Sequence, residues 1–173
     1  MYKRQEIGFA STKAFLGQML VLYLFSIKIA FVRGSIDKDK YQTKIKSILS
    51  LADLVKNTLD TDNQIQSACN SFIDAKGSMF LGRGSSFPIA LEGALKLKEL
   101  AYIHAEGYPA GEMKHGPLAL IEDGMPVVVI APRDYYYNKT ISNMQEVIAR
   151  GAKVLLITNL SLIHISEPTR LSA

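Results

Sequence analysis

The second half of the sequence predicts an α/β fold built on a doubly wound parallel sheet. Apolar runs at residues 78–81, 125–131 and 153–158 alternate with two helical patterns. The run 125–131 is apolar almost throughout, which is typical of a strand buried on both faces of a parallel sheet. A glycine-rich stretch, 82–86, joins the first strand to the helix that follows. This order of elements favours a sheet that binds ligands beside the carboxyl ends of its strands.

The first half begins with a long apolar helix over residues 11–32, for which Ser11 or Thr12 offers an N-cap. Its apolar stretch is nearly long enough to cross a bilayer, which takes about 20 residues. Gln18 and Lys28 interrupt that stretch. We therefore expect a helix buried in a large soluble core rather than a membrane span.

Two further helices are predicted at residues 37–59 and 63–75, where apolar residues recur at helical spacing. Within the sheet region, helices are predicted at 88–104 and 138–150. The segment 105–117 carries several glycines and prolines, so we expect it to be irregular.

The composition excludes several classes of protein. The 173 residues include 20 lysines and arginines against 16 aspartates and glutamates, and 48% are hydrophobic, which excludes an intrinsically disordered chain. The single cysteine, Cys69, excludes a disulfide scaffold and fits a reduced, cytoplasmic compartment. Histidines and cysteines lack the spacing of metal ligands, so no metal site is predicted.

The two ends of the chain can be encoded by DNA sequences that are reverse complements of each other. One codon choice for residues 2–5, TAT-AAG-AGA-CAG, has a reverse complement that translates to residues 160–163. We expect residues 1–5 and 160–173 to derive from a sequencing adapter and to be no part of the fold. The remainder has no basic stripe, so nucleic acid is not an expected partner.

The glycine loop, residues 82–85, is a candidate anion site because it joins a strand to a helix N-terminus. Backbone amides and Arg83 could meet a phosphate there, while the same glycines also suit a tight structural turn. Both alternatives stay open for Gly82, Arg83, Gly84 and Ser85.

Ionisable residues form two further candidates. Glu92, Lys96 and Glu99 follow helical spacing on one face, either as a solvated salt-bridged face or with Glu99 as a general base near the strand-end crevice. His115 lies between glycines, either as a surface histidine or facing a substrate. His104 is expected to end its helix and cap carbonyls there.

Four segments then resemble the isomerase part of the glutamine–fructose-6-phosphate aminotransferase family. They are residues 82–84, 91–99, 102–106 and 110–121, and residues 6–15 resemble a segment further upstream. The resemblance covers residues 6–159. It implies that residues 6–76 are the helical end of a truncated first SIS-type sugar-isomerase lobe with its linker. Residues 77–159 would then be a second SIS lobe, itself truncated.

The resemblance implies a reaction without a cofactor, in which fructose 6-phosphate and glutamine-derived ammonia give glucosamine 6-phosphate. Glu99 matches the family's base for proton transfer between C1 and C2. His115 matches a ring-opening histidine contributed across a homodimer, and Lys96 matches a lysine beside the sugar. Three residues ahead of the first helix match a sugar-contacting segment: Phe9, Ala10 and Ser11.

The family's phosphate loop, imine-forming lysine and glutaminase domain have no match in this sequence. We therefore expect the chain alone to be inactive and to expose apolar surface that promotes aggregation. Two alternatives stay open: another SIS-domain sugar-phosphate deaminase, deglycase or isomerase, and a non-catalytic sugar-phosphate-binding SIS module.

Overall fold

A computed structural model describes residues 10–159 and 161–165, with Ser71 and residues 161–165 described by their backbone only. The chain divides into two compact units, Met1–Asp62 and Asn63–Ala173. The predicted adapter residues 1–5 lie outside the described residues, as do most of 160–173. The predicted boundary between residues 76 and 77 and the adapter origin of the ends stay predictions.

The first unit is helical, with α1 at Lys13–Val32, α2 at Lys38–Leu49 and α3 at Leu51–Leu59. The predicted first helix is confirmed. The single helix predicted over 37–59 is wrong, because the chain divides into α2 and α3 at Ser50. The Ser50 hydroxyl donates to the Ser47 carbonyl at 2.9 Å, a local side-chain bond that competes with the helical ladder.

Helix α1 is apolar on nearly all sides, and Ile27 is the buried residue within it. Among the described residues, α1 alone is long and apolar enough to span a membrane, with a mean hydropathy of 1.9. The expected burial in a soluble core is wrong for the described residues, because most of α1 is open to solvent. The expected exposed apolar surface is confirmed by large side chains along the helix: Leu16, Val21, Leu22, Phe25 and Val32.

The second unit contains the sheet, in the strand order β2-β1-β3-β4-β5. The first four strands are parallel and β5 pairs antiparallel with β4, which confirms the predicted α/β class. The strands are β1 at Gly77–Gly82, β2 at His104–Pro109, β3 at Pro126–Ile130, β4 at Lys153–Thr158 and β5 at Ser161–Ile165. The expectation that 105–117 is irregular is therefore wrong at its start, which forms edge strand β2.

Helices complete the second unit. They are α4 at Asp62–Cys69, α5 at Ser86–Ala101 and α6 at Tyr137–Ile148, with short 3-10 turns at Asn70–Phe72, Ala110–His115 and Pro117–Leu120. Helix α5 ends at Tyr102, whose left-handed φ of 56° breaks the helical ladder. The predicted helix end at His104 is therefore wrong, and His104 instead begins β2.

The core of this unit covers one face of the sheet, where α6 and the turn Ala110–His115 pack on fully buried aliphatic side chains. Full burial of each such side chain stabilises the fold by about 1.5–3 kcal/mol. Helix α5 packs on β1 and β2, close enough that a methyl group at Gly93 would lie 2.8 Å from the Phe80 ring. These contacts fix the axis of α5 along the strands.

Candidate functional site

The sheet has two edges that matter for the site. The carboxyl edge is where the parallel strands end, at Gly82 in β1 and Pro109 in β2. The amino edge is where they begin, at Gly77 and His104, which are paired in register. Helix α5 leaves the carboxyl edge and returns to the amino edge, rising about 20 Å from its first turn to its last.

The glycine loop at the carboxyl edge forms a tight turn. The Ser86 amide donates to the Arg83 carbonyl at 3.1 Å, and the Phe87 amide donates to the Gly84 carbonyl at 3.2 Å. A methyl group at Gly82 would overlap the Ser86 carbonyl oxygen, so only glycine fits there. Because the first amides of α5 are already bonded, these contacts favour the structural-turn alternative, and anion binding stays a prediction.

The Arg83 side chain is packed into the protein. Its Nη1 donates to Asn143 Oδ1 at 3.2 Å, and its Cζ lies 6.0 Å from the centre of the Tyr136 ring. A methyl group at Gly111 would lie 3.0 Å from the same Nη1. Ser85, in contrast, is exposed and makes no capping hydrogen bond to α5.

The histidine segment, Ala110–His115, follows β2 directly and starts at the same edge. Its Ala110 and Met113 side chains are fully buried and anchor it in the core. Lys114 Nζ lies 3.1 Å from Glu146 Oε1 on α6, a salt bridge that also holds the segment.

The His115 side chain points away from those anchors and is 75% exposed. Its Nε2 lies 3.9 Å from Glu112 Oε2, an ion pair only when the imidazole is protonated. The sequence prediction of an accessible histidine is met by this geometry, while a catalytic role stays a prediction.

The predicted acid–base cluster on α5 shares one face, as its spacing indicates. Lys96 Nζ lies 2.8 Å from Glu99 Oε2 and 3.3 Å from Glu92 Oε1. The side chains are 18% exposed for Lys96, 23% for Glu92 and 35% for Glu99. The hydrogen bond to Glu99, aided by Glu92, raises the pKa of Lys96 above its usual value, so the ammonium stays charged at neutral pH.

Glu99 lies in the last turn of α5 and therefore at the amino edge. The expectation that it lies near the crevice at the carboxyl ends of the strands is wrong. A helix that follows a parallel strand runs back along the sheet, so its last turn reaches the opposite edge. Within one chain, Glu99 and the histidine segment belong to opposite faces of the sheet, because α5 packs on Phe80 while Ala110 and Met113 join Met79 and Leu81 in the core on the other face.

The amino edge carries an open cleft of about 490 Å³ that the sequence reasoning missed. One wall is a ladder on β2, in which Glu106 lies between His104 at 3.6 Å and the Tyr108 hydroxyl that donates to it. The hydrogen bond to Glu106 raises the pKa of Tyr108. The period-two spacing of these three residues is the signal that could have revealed the strand and its polar face.

The remaining predicted substrate contacts belong to the first unit. Ala10 and Ser11 precede α1 and are half-buried, whereas Phe9 lies outside the described residues. Their role stays a prediction. Across the residues that the structure describes, no group of three or more His, Cys, Asp or Glu side chains is placed to hold a metal ion.

Known proteins resemble this chain in both sequence and structure. Glutamine--fructose-6-phosphate aminotransferases (isomerizing) from Brucella abortus and Bartonella henselae are 50% and 48% identical over 154 residues. The match covers 89% of this chain and 25% of each relative, so the chain spans about a quarter of their length.

Two solved structures share the fold. The C-terminal domain of glucosamine-fructose-6-phosphate aminotransferase from Francisella tularensis gives a TM-score of 0.87 at 46% identity, over 90% of this chain and 44% of that one. A glucosamine-6-phosphate deaminase from Thermotoga maritima gives a TM-score of 0.68 at 24% identity, over 94% and 47% of the two chains. The second likeness shows the fold alone.

A family model supplies the remaining comparison. Residues 71–171, more than half of the chain, match the SIS domain, and this range contains the parallel sheet together with α5 and the histidine segment. The chain belongs to the SIS domain family.

Proposed function

We propose that this chain is part of the isomerising half of a glutamine–fructose-6-phosphate aminotransferase, which makes glucosamine 6-phosphate from fructose 6-phosphate and glutamine-derived ammonia. The observation that carries the proposal is the 50% identity over 154 residues to relatives with that name. The Glu92–Lys96–Glu99 cluster supports it, because its spacing and contacts suit proton transfer without a cofactor.

Glu99 is the proposed general base. Its carboxylate would remove a proton from C1 of the open-chain sugar imine and return it to C2, so the same group accepts and donates. Lys96 holds that carboxylate by a 2.8 Å hydrogen bond and stays cationic. A fixed positive charge there would stabilise the negative charge that develops on an enediol-like intermediate.

His115 is the proposed group that opens the sugar ring, and it would act in the site of a second chain. The two groups belong to elements on opposite faces of one sheet, α5 and the turn Ala110–His115. A homodimer in which each site combines Glu99 of one protomer with the partner's His115 reconciles this separation with a shared substrate.

The proposed substrate is a sugar phosphate, contacted also by Phe9, Ala10 and Ser11. The proposed compartment is the cytoplasm, and neither nucleic acid nor a membrane is a proposed partner. The alternative SIS deaminase gains no specific support from the structure, since the likeness to a solved deaminase rests on 24% identity.

A chimera tests the proposal. In it, the 154 aligned residues of the Brucella abortus relative are replaced by the matching residues of this chain. We expect it to form glucosamine 6-phosphate from fructose 6-phosphate and glutamine. Glu99→Gln, which keeps the shape but removes the base, should lower kcat by about 10²–10⁴-fold.

The control is Asp53→Asn, an isosteric change of an exposed carboxylate on α3 that does not line the cleft. It should leave kcat within about twofold, as most surface substitutions do. Equal turnover by the Glu99→Gln chimera and its unaltered parent would refute the assignment of the base.

A further inference from the structure

We propose that Arg83 is a positioning residue for His115: its guanidinium locks the histidine segment to the glycine loop and to α6. The inference rests on the proposed function, in which His115 opens the sugar ring. Arg83 itself touches neither His115 nor, in this proposal, the sugar.

The guanidinium lies flat against the backbone of the histidine segment. A methyl group at Gly111 would lie 3.0 Å from Arg83 Nη1 and 3.2 Å from both Cζ and Nη2. All three atoms face position 111, so a side chain there would require the guanidinium to shift by a few tenths of an ångström. The missing side chain at Gly111 therefore leaves the space that the Arg83 guanidinium occupies.

The other side of the guanidinium is held in place as well. Nη1 donates at 3.2 Å to Asn143 Oδ1, and Asn143 lies on α6 with only 8% of its surface exposed. The Tyr136 ring packs 6.0 Å from Arg83 Cζ and so close to Gly84 that a methyl group there would lie 2.6 Å from the ring. A planar fork fills this space, whereas the single ammonium of lysine cannot.

These contacts of Arg83 matter for His115 because few contacts of the imidazole itself fix its position. The side chain is 75% exposed, and Glu112 approaches it no closer than 3.9 Å. Its position is set by a six-residue 3-10 turn, a conformation with poorer hydrogen-bond geometry than an α-helix. Arg83 packs on Gly111 near the start of that turn, next to the buried Ala110, while Met113 and Lys114 hold its end.

The chimera described above provides the test. Arg83→Ala should lower kcat by about tenfold or more and leave KM within about twofold, because a displacement of about 1 Å can cost up to 100-fold. Arg83→Lys keeps the charge but not the fork, so it should stay impaired. Millimolar guanidinium chloride should restore much of the activity of Arg83→Ala by refilling the space.

Arg133→Ala is the matched control. Arg133 also lies at the carboxyl edge and over a tyrosine ring, that of Tyr137 at 5.9 Å, but this contact ties it to α6 and not to the histidine segment. The kcat of the Arg133→Ala chimera should stay near that of the unaltered chimera. An equal loss in both arginine variants would overturn the proposal.

The double variant shows whether Arg83 acts through His115. Adding Arg83→Ala to His115→Ala should cause no further loss of kcat, since a positioning residue has nothing left to position. Multiplicative losses would overturn the proposal in favour of an independent role for Arg83.

Amide hydrogen exchange in the 173-residue chain separates this inference from the proposed function. If the unaltered chimera makes no product, the proposed function fails, yet the lock is still measurable. Arg83→Ala should speed exchange at residues 111–116 by about tenfold while residues 153–158 of β4 keep their rates. Unchanged exchange at 111–116, or equal acceleration in β4, would overturn the inference.

Discussion

The two edges of the parallel sheet differ in the packing beside the two ends of α5. At the carboxyl edge, the Arg83 guanidinium fills the space between Gly111 and Asn143. At the amino edge, Glu99 keeps 35% of its side chain exposed, and a cleft of about 490 Å³ opens beside Glu106. The edge where a doubly wound sheet normally binds ligands is thus the more closely packed of the two.

The difference shows why the general rule for such sheets does not locate Glu99. The rule points to loops after the strands, while Glu99 lies on the last turn of a helix that has returned to the amino edge. The assignment of the base therefore depends on the resemblance and on the contacts of Lys96, not on proximity to a crevice. Glu99 and the histidine segment also lie on opposite faces of the sheet, which supports the proposal that a complete site combines two chains.

The two ends of β1 offer the largest test of this contrast. Gly82→Ala, at the packed carboxyl edge, should destabilise the fold by about 1–3 kcal/mol or more, because the new methyl group overlaps the Ser86 carbonyl. Gly77→Ala, at the amino edge, meets its nearest atom, the His104 carbonyl oxygen, at 3.5 Å. It should change stability by no more than about 0.5 kcal/mol.

Urea unfolding of the two variants, followed by far-ultraviolet circular dichroism, gives the comparison. The urea concentration at the midpoint of unfolding should fall clearly for Gly82→Ala. For Gly77→Ala it should stay near the value of the unaltered chain. Equal midpoints would mean that the two edges do not differ in packing.

A smaller effect should mark the ladder along β2, which runs from His104 at the amino edge to Tyr108. The hydrogen bond to Glu106 raises the pKa of Tyr108, so this contact favours the protonated phenol. Its stabilisation is complete below about pH 10, the ordinary tyrosine pKa, and is lost as the pH rises through the raised value. Glu106→Gln should bring the pKa of Tyr108 back toward that ordinary value.

Absorbance at 295 nm reads the tyrosinate directly. Subtracting the titration of Tyr108→Phe from that of the parent isolates one phenol. The same subtraction between two chains that both carry Glu106→Gln should give a Tyr108 titration curve shifted to lower pH than the curve obtained with Glu106 present. Superimposable curves would show that Glu106 does not hold the Tyr108 proton.

Local sequence patterns predict much of the second unit. The apolar runs place β3 and β4 because buried parallel strands need aliphatic side chains on both faces. Helical spacing likewise places Glu92, Lys96 and Glu99 on one face, as observed.

Long-range features escape such patterns. Gly107 and Pro109 obscure β2, which forms because its backbone pairs with β1 from Gly77 to Gly82. The edge at which Glu99 lies follows from the direction of α5, which is set by packing on the sheet. The lock around Arg83 joins residues 60 apart in sequence, so no local spacing could indicate it.

Subunit mixing tests the central claim, that a complete site combines Glu99 of one chain with the partner's His115. The Glu99→Gln and His115→Ala chimeras should each be nearly inactive alone. Mixed in equal amounts and allowed to exchange protomers, they should regain about a quarter of the unaltered activity, because half of the dimers are mixed and each holds one intact site. If both groups served the same site from a single chain, no mixed dimer would contain an intact site, and activity would stay at the level of the separate variants.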